Sequence, residues 1–171
     1  MNLLFRFLYI VIGAIWRPKL DLADISMLRF RVWPLDLDWN LHLTNSRYLS
    51  LMDLGRVDQI LRTGLWRRMR RGGFGVVLGG AAMRFRRPLA PFERFSLTTR
   101  LLGWDERWIY MEQVFRGTRG VACVAVLRAA FVKDKKLVSP AGVLGDEAFK
   151  LPSDLPDWVT QWTDVEAAFA G

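Results

Sequence analysis

Asn45-Ser46-Arg47-Tyr48-Leu49-Ser50-Leu51-Met52-Asp53-Leu54-Gly55-Arg56-Val57-Asp58-Gln59-Ile60-Leu61-Arg62-Thr63-Gly64-Leu65 decides the architecture, because it reads as the one long helix of the chain. Its apolar positions, Tyr48, Leu49, Leu51, Met52, Leu54, Val57, Ile60, Leu61 and Leu65, spread over more than one stripe. Such a helix is expected to be wrapped by other structure rather than laid on a surface. Trp66-Arg67-Arg68-Met69-Arg70-Arg71 continues it, and Gly72-Gly73 stops it. Thr44 or Asn45 suits the N-cap.

Downstream of Gly75 the pattern is strand-like: Val76 to Phe85, Phe95 to Leu102, Trp108 to Phe115 and Val121 to Val132. Pro88, Pro91, Gly103-Trp104-Asp105 and Gly117 to Gly120 punctuate these runs at turn positions. Upstream, Leu28-Arg29-Phe30-Arg31-Val32-Trp33 alternates apolar with basic residues and ends at Pro34, which reads as a half-buried strand. The order is therefore strand, long helix, four strands. One helix cannot cover both faces of a sheet, so the expected class is α+β, with an antiparallel four-stranded meander wrapped around the central helix. The uncovered face and edge of that sheet invite a second copy, making a homodimer or homotetramer the expected state. From Pro152, Asp154, Pro156, Trp158 and Trp162 suggest a short amphipathic helix packed on the body.

The chain has 171 residues, 51% of them hydrophobic and 25% charged, the balance of one domain with a real core. A disordered tail and a multi-domain assembly are excluded. Cys123 stands alone in an apolar run, so no internal disulfide and no cysteine zinc cage can form, and no metal or cofactor is expected. Lys and Arg number 25 against 17 Asp and Glu, a net +8 that attracts anions: nucleic acid, anionic lipid or coenzyme A phosphates. No RNP, helix-turn-helix or zinc-finger pattern accompanies the charge, so nucleic acid is not an expected partner.

Residues 1–19 form an apolar segment, 20–145 the main domain and 146–171 a tail. A helix of 14 residues at the N-terminus covers about 21 Å, short of the ~30 Å hydrocarbon core. Two readings stand. In one, the segment anchors the protein to an anionic membrane surface, with Trp16, Arg17 and Lys19 at headgroup depth and the body on the cytoplasmic side; in the other, it packs on its own domain or a partner subunit.

The chemistry is concentrated in Asp36-Leu37-Asp38-Trp39-Asn40-Leu41-His42-Leu43-Thr44-Asn45, directly before the helix. Asp38, Asn40 and the chain's only histidine, His42, stand at i, i+2 and i+4, a spacing that lets their side chains lie toward one side of an extended or looped segment. The free amides and positive dipole end of a helix follow at Asn45, Ser46 and Arg47. Together these supply a carboxylate able to attack a carbonyl or activate water, and donors for an oxyanion, which is what acyl transfer needs.

The string Asp36-x-Asp38-x-Asn40-x-His42-x-Thr44-Asn45-x-x-Tyr48 resembles the D-x-D-x-N-x-H-x-N-N-x-x-Y signature of the hotdog-fold acyl thioesterases. The likeness covers roughly residues 27–140 and extends to the 4-hydroxybenzoyl-CoA thioesterase-like enzymes and to the group that includes thioesterase superfamily member six. It implies a hotdog fold and an acyl-CoA thioesterase, and the apolar helix and strand faces point to a fatty or aromatic acyl group. It places the catalytic carboxylate on Asp38 and the assisting trio on Asp38, Asn40 and His42. Thr44 departs from the usual Asn, and no cysteine matches the one discussed for plant members of the family, since Cys123 lies too far along and reads as buried.

Further candidates complete the site. Tyr48 belongs to the motif, Gly79 and Gly80 offer room for a thioester chain against the helix or for packing, and Arg84, Arg86 and Arg87 suit the phosphates of coenzyme A or a solvated basic face. Asp53 reads as a salt-bridge partner of Arg56. Two rivals stand beside the thioesterase: a non-catalytic acyl-binding or membrane-scaffold protein of the same fold, and a hotdog hydratase.

Overall fold

The computed structural model describes residues 3–152 and 154–167 of the chain. In chain order these form α1 (Leu3–Trp16), β1 (Ser26–Arg31), a 3-10 turn (Pro34–Asp36), α2 (Asn45–Arg62), α3 (Leu65–Gly72), β2 (Gly75–Phe85), β3 (Arg94–Trp104), β4 (Ile109–Gly117), β5 (Gly120–Lys133), β6 (Lys136–Val138), α4 (Pro140–Leu144), a second 3-10 stretch (Gly145–Lys150) and α5 (Asp157–Ala167).

Among the described residues one antiparallel sheet has the order β1-β3-β4-β5-β2, with β6 paired to β5. The expected four-strand meander is corrected at one strand. β3, β4 and β5 follow one another, but β2 lies at the far edge beside β5, Gly75 opposite Val132 and Phe85 opposite Cys123. The reason is that β1 occupies the free edge of β3, Ser26 opposite Thr99 and Arg31 opposite Arg94, so β2 is left with the outer edge of β5. The chain reaches it by carrying α2 and α3 across the sheet.

The single helix expected from Asn45 to Arg71 is two. Gly64 takes φ +76°, a left-handed conformation that ends α2 and redirects the chain into α3, and Gly73 at φ +69° ends α3 in the same way. α2 is also less enveloped than its pattern suggests. It buries Tyr48, Leu51, Met52, Leu54, Gly55, Asp58, Gln59 and Arg62, whereas Leu49 stays exposed.

Gly55 sets how closely α2 approaches the sheet. A Cβ there would lie 2.6 Å from both Gln113 Nε2 and Thr99 Oγ1. In its absence the fully buried Gln113 amide donates to the Met52 carbonyl at 3.0 Å and to Thr99 Oγ1 at 2.8 Å, and Arg56 Nη1 donates to Gln113 Oε1 at 3.3 Å. This polar bridge satisfies a buried amide in the middle of an apolar core that includes Leu51, Met52, Leu97, Phe115 and Leu127.

α1 packs on the body by an inverted face. Its buried positions are Arg6, Ile10 and Ala14, spaced i, i+4 and i+8 on one stripe, while large apolar residues occupy the rest of its surface. Two ion pairs hold its ends. Arg6 reaches Asp36, and Arg17 lies 2.7 Å from the fully buried Asp58, which also accepts from Ser26 Oγ and Arg62 Nη1. Among the described residues no helix is long and apolar enough to cross a membrane.

The tail helix expected beyond Pro152 is α5, on the sheet face away from α2. Val159, Leu155 and Trp162 cover Leu102, Tyr110, Val126 and Trp108. The Arg128 guanidinium lies over the rings of Trp108 and Trp162, 4.7 and 5.8 Å from their centres.

Candidate active site

The segment between the first 3-10 turn and α2 folds back on itself. Leu37 and Leu43 form an isolated antiparallel bridge, the Asp38 amide donates to the His42 carbonyl at 2.9 Å, and the Leu41 amide donates to the Asp38 carbonyl at 3.1 Å. Leu41 closes this turn at φ +55°, a conformation costly for a residue with a branched side chain.

Within the turn the half-buried Asp38 is held by backbone. Its Oδ1 accepts from the Asn40 amide at 2.9 Å and the His42 amide at 3.1 Å, which fixes the carboxylate plane. Oδ2 has no hydrogen-bond donor among the described residues.

Asp38 lines a cleft of about 290 Å³ together with His42, Asn45, Tyr48, Phe85, Arg86 and Arg87. The cleft lies at the start of α2, where Thr44 takes the N-cap position in extended conformation but caps nothing with its side chain. The Asn45 and Ser46 amides therefore have no acceptor among the described residues. They are the free donors, with the helix dipole behind them.

The structure departs from the sequence expectation at several residues. Asn40 is exposed at the tip of the turn and does not line the cleft, so the shared side expected for Asp38, Asn40 and His42 holds for two of the three; Asn40 contributes through its amide. The Arg47 amide is not a free donor, because it bonds the Thr44 carbonyl at 2.9 Å. The Arg47 side chain turns to the Leu35 carbonyl and to Asp36, 3.2 and 3.5 Å away. Gly79 and Gly80 lie at a β-bulge in β2, and a Cβ on Gly79 would collide with the Trp108 ring, so that glycine makes room for a tryptophan. Arg84 is exposed and outside the cleft, whereas Arg86 and Arg87 border it and anchor there by donating their amides to the Ala122 carbonyl at 2.8 and 3.2 Å. Asp53 pairs with Arg56.

Tyr48 forms the floor. It is 2% exposed and set edge-on between Phe85 and Phe115, with ring centres 5.1 and 4.8 Å away. Burial raises its hydroxyl well above the ordinary tyrosine range, so the group stays protonated. Burial also pushes the Cys123 thiol up to about 12, which leaves no thiolate for nucleophilic work at neutral pH. Among the described residues no group of three His, Cys, Asp or Glu is placed to hold a metal.

Sequence reasoning missed Asp36 as a structural centre. The first aspartate of the motif is 1% exposed, accepts from Arg6 and from the Trp33 amide at 3.0 Å, and is ion-paired to Arg47 3.5 Å away. The signal for it was Arg6, the one charge in an otherwise apolar helix.

Residues 32–163 match the thioesterase-like superfamily. Protein THEM6 of Xenopus laevis is 41% identical over 96 residues, which cover 56% of this chain and 46% of that protein. The chain spans about half the length of the curated relatives it matches. Among solved structures, the YbaW probable thioesterase of Escherichia coli superposes with a TM-score of 0.65 at 21% identity, over 71% of this chain and 94% of that one. A 4-hydroxybenzoyl-CoA thioesterase variant complexed with 4-hydroxybenzoyl-CoA superposes with a TM-score of 0.64 at 12% identity, over 72% and 98%.

Proposed function

The chain belongs to the thioesterase-like superfamily and has the hotdog fold, and from that premise we propose that it hydrolyses the thioester of a fatty or aromatic acyl-CoA. The observation that carries this reading is the placement of Asp38: a carboxylate with one oxygen held by two amides, bordering a cleft that is also lined by Asn45, the first residue of α2.

In the proposed reaction the thioester carbonyl oxygen lies against the Asn45 and Ser46 amides. Water adds to the carbonyl carbon as Asp38 takes its proton, the negative charge gathers on the oxygen facing the helix start, and the C–S bond then breaks. The departing thiolate recovers the proton from Asp38, leaving a carboxylic acid and free coenzyme A. Direct attack by Asp38, with later hydrolysis of the anhydride, uses the same atoms. His42 at the cleft wall orients the substrate, Tyr48 and Phe85 support the acyl group, and Arg86 with Arg87 faces the phosphates of coenzyme A.

A homodimer accompanies this reading, with a homotetramer as its extension. β2 is an edge strand of 11 residues whose outer side has no partner among the described residues and whose Val76, Val77 and Leu78 are exposed. The proposed location is cytoplasmic, on the face of a membrane to which α1 attaches.

The test is release of free thiol from a panel of acyl-CoA thioesters. Release by the wild type that disappears in Asp38→Asn, with the fold intact, supports the enzyme. Tight acyl-CoA binding without release supports the acyl-binding rival, and hydration of an enoyl-CoA without thiol release supports the hydratase.

A further inference from the structure

We propose that the protein docks on an anionic bilayer through two adjoining features: the apolar outer face of α1, which lies in the plane of the membrane, and an arginine groove beside it that takes lipid phosphate headgroups. This deepens the membrane-attachment reading above and is independent of the hydrolysis.

The helix face is large and continuous. Phe5, Leu8, Tyr9, Ile12, Ile15 and Trp16 are each between 44% and 84% exposed, on a helix whose ends are fastened to the body by Arg6–Asp36 and Arg17–Asp58. Soluble surfaces seldom present so many large apolar side chains together. Fastened at both ends and only 14 residues long, α1 does not leave the body to span a bilayer, but it can sink one face into it.

The groove supplies the complementary charge. Arg29, Arg31, Arg94 and Arg116 line an open depression of about 720 Å³ that also touches Tyr9 of α1. Strand register explains the crowding: Arg31 stands directly opposite Arg94, and Arg29 and Arg116 flank Ser96 from its two neighbouring strands. None of the four arginines has an ion-pair partner among the described residues. Glu93, next to Arg94 in the chain, is committed elsewhere, accepting from the Ala90 and Thr118 amides and the Thr118 hydroxyl. Like charges set opposite one another on a sheet repel, and a bound anion relieves the repulsion. Because Tyr9 belongs both to the groove and to the apolar helix face, an anion in the groove sits at the border of an apolar layer. Lipid headgroups occupy that position.

The experiment is flotation of the full chain with vesicles of phosphatidylcholine alone, and with about one-third phosphatidylserine added. Arg29→Gln/Arg94→Gln/Arg116→Gln removes three of the four groove charges and leaves Arg31, whose carbonyl accepts from Arg6, in place. The expected result is preferential binding of the wild type to the anionic vesicles, reduced about a hundredfold in the triple variant at roughly fivefold per arginine. Ile12→Ser/Ile15→Ser is expected to abolish binding to both vesicles while circular dichroism and melting stay as in the wild type. Equal wild-type binding to both vesicles, or an unaffected triple variant, overturns the headgroup groove while leaving membrane attachment in place. Absence of binding to either vesicle overturns both. Self-association that disappears in the isoleucine variant, with no vesicle binding, assigns the face to a second copy and likewise overturns the proposal. Thiol release is measured on each variant in detergent, so that loss of hydrolysis is read apart from loss of docking.

Discussion

Arg6 and Asp36, thirty residues apart in the chain, close a two-pronged ion pair in the interior: Nη1 to Oδ1 at 3.1 Å and Nη2 to Oδ2 at 2.5 Å, with both side chains 1% exposed. The two aspartates of the D-x-D motif thus divide the labour. The first fastens α1 to the loop that leads into the helix, and the second, two residues on, borders the cleft.

Removing one partner of a buried pair leaves the other charge uncompensated, which costs about 3–5 kcal/mol. Arg6→Met is therefore expected to lower the unfolding free energy by about that amount in urea titrations. The double variant Arg6→Met/Asp36→Leu, which removes both charges, is expected to regain most of the loss. A single variant as stable as the wild type would show that the pair contributes nothing.

The proposed oxyanion donors are backbone groups, so proline is the informative substitution. Thr44 is extended, at φ −64° and ψ 145°, the conformation favoured before proline, and the first helical position tolerates proline well. Asn45→Pro deletes the Asn45 amide with α2 preserved, and Asn45→Ala removes only the side chain. Relative to Asn45→Ala, kcat of Asn45→Pro is expected to fall by about 10²–10³, with the far-UV spectrum unchanged. Equal rates in the two variants would remove that amide from the chemistry.

Gly55→Ala is expected to destabilise the protein although alanine is the better helix former by about 1 kcal/mol. The added Cβ meets Gln113 Nε2 and Thr99 Oγ1 at 2.6 Å, and overpacking together with a broken buried hydrogen bond costs about 2–5 kcal/mol. Denaturant unfolding measures the balance, and a stabilised variant would show that α2 can retreat from the sheet.

Glu93 links stability to acid. Burial raises its pKa, but hydrogen bonds from the Ala90 amide and from the Thr118 hydroxyl and amide, with Arg119 nearby, outweigh it and hold the carboxyl below the ordinary value of 4.5. A carboxylate depressed in the folded state contributes stability above its unfolded pKa and loses it as pH falls through the folded one. Stability is therefore expected to decline as pH drops below about 4.5, and Glu93→Gln to flatten that part of the profile. An identical decline in the variant would assign it to other carboxylates.

Local pattern was enough wherever neighbours in the chain decide. Alternation marked the strands, the spread of Tyr48, Leu51, Met52 and Leu54 marked the helix, and the crowding of Asp38, His42 and Asn45 marked the cleft that the structure builds from them. The Thr63-Gly64 break escaped notice because the apolar pattern continues through Leu65, and the period of a helix does not register one left-handed residue. Asn40 misled for a related reason: equal spacing suggests a shared side only while the segment stays extended, and Leu41 at φ +55° bends it.

By its own arrangement of residues the sequence determined the order of elements, the central helix and the carboxylate before it, since each depends on contacts a few positions long. Tertiary structure alone decided that β2 lies beside β5, that Arg6 meets Asp36, and that Gln113 reaches across to the Met52 carbonyl 61 residues away past a Cβ that Gly55 does not have. Those choices rest on which distant groups can satisfy a buried charge or amide, and only the packed chain brings candidates within reach of one another.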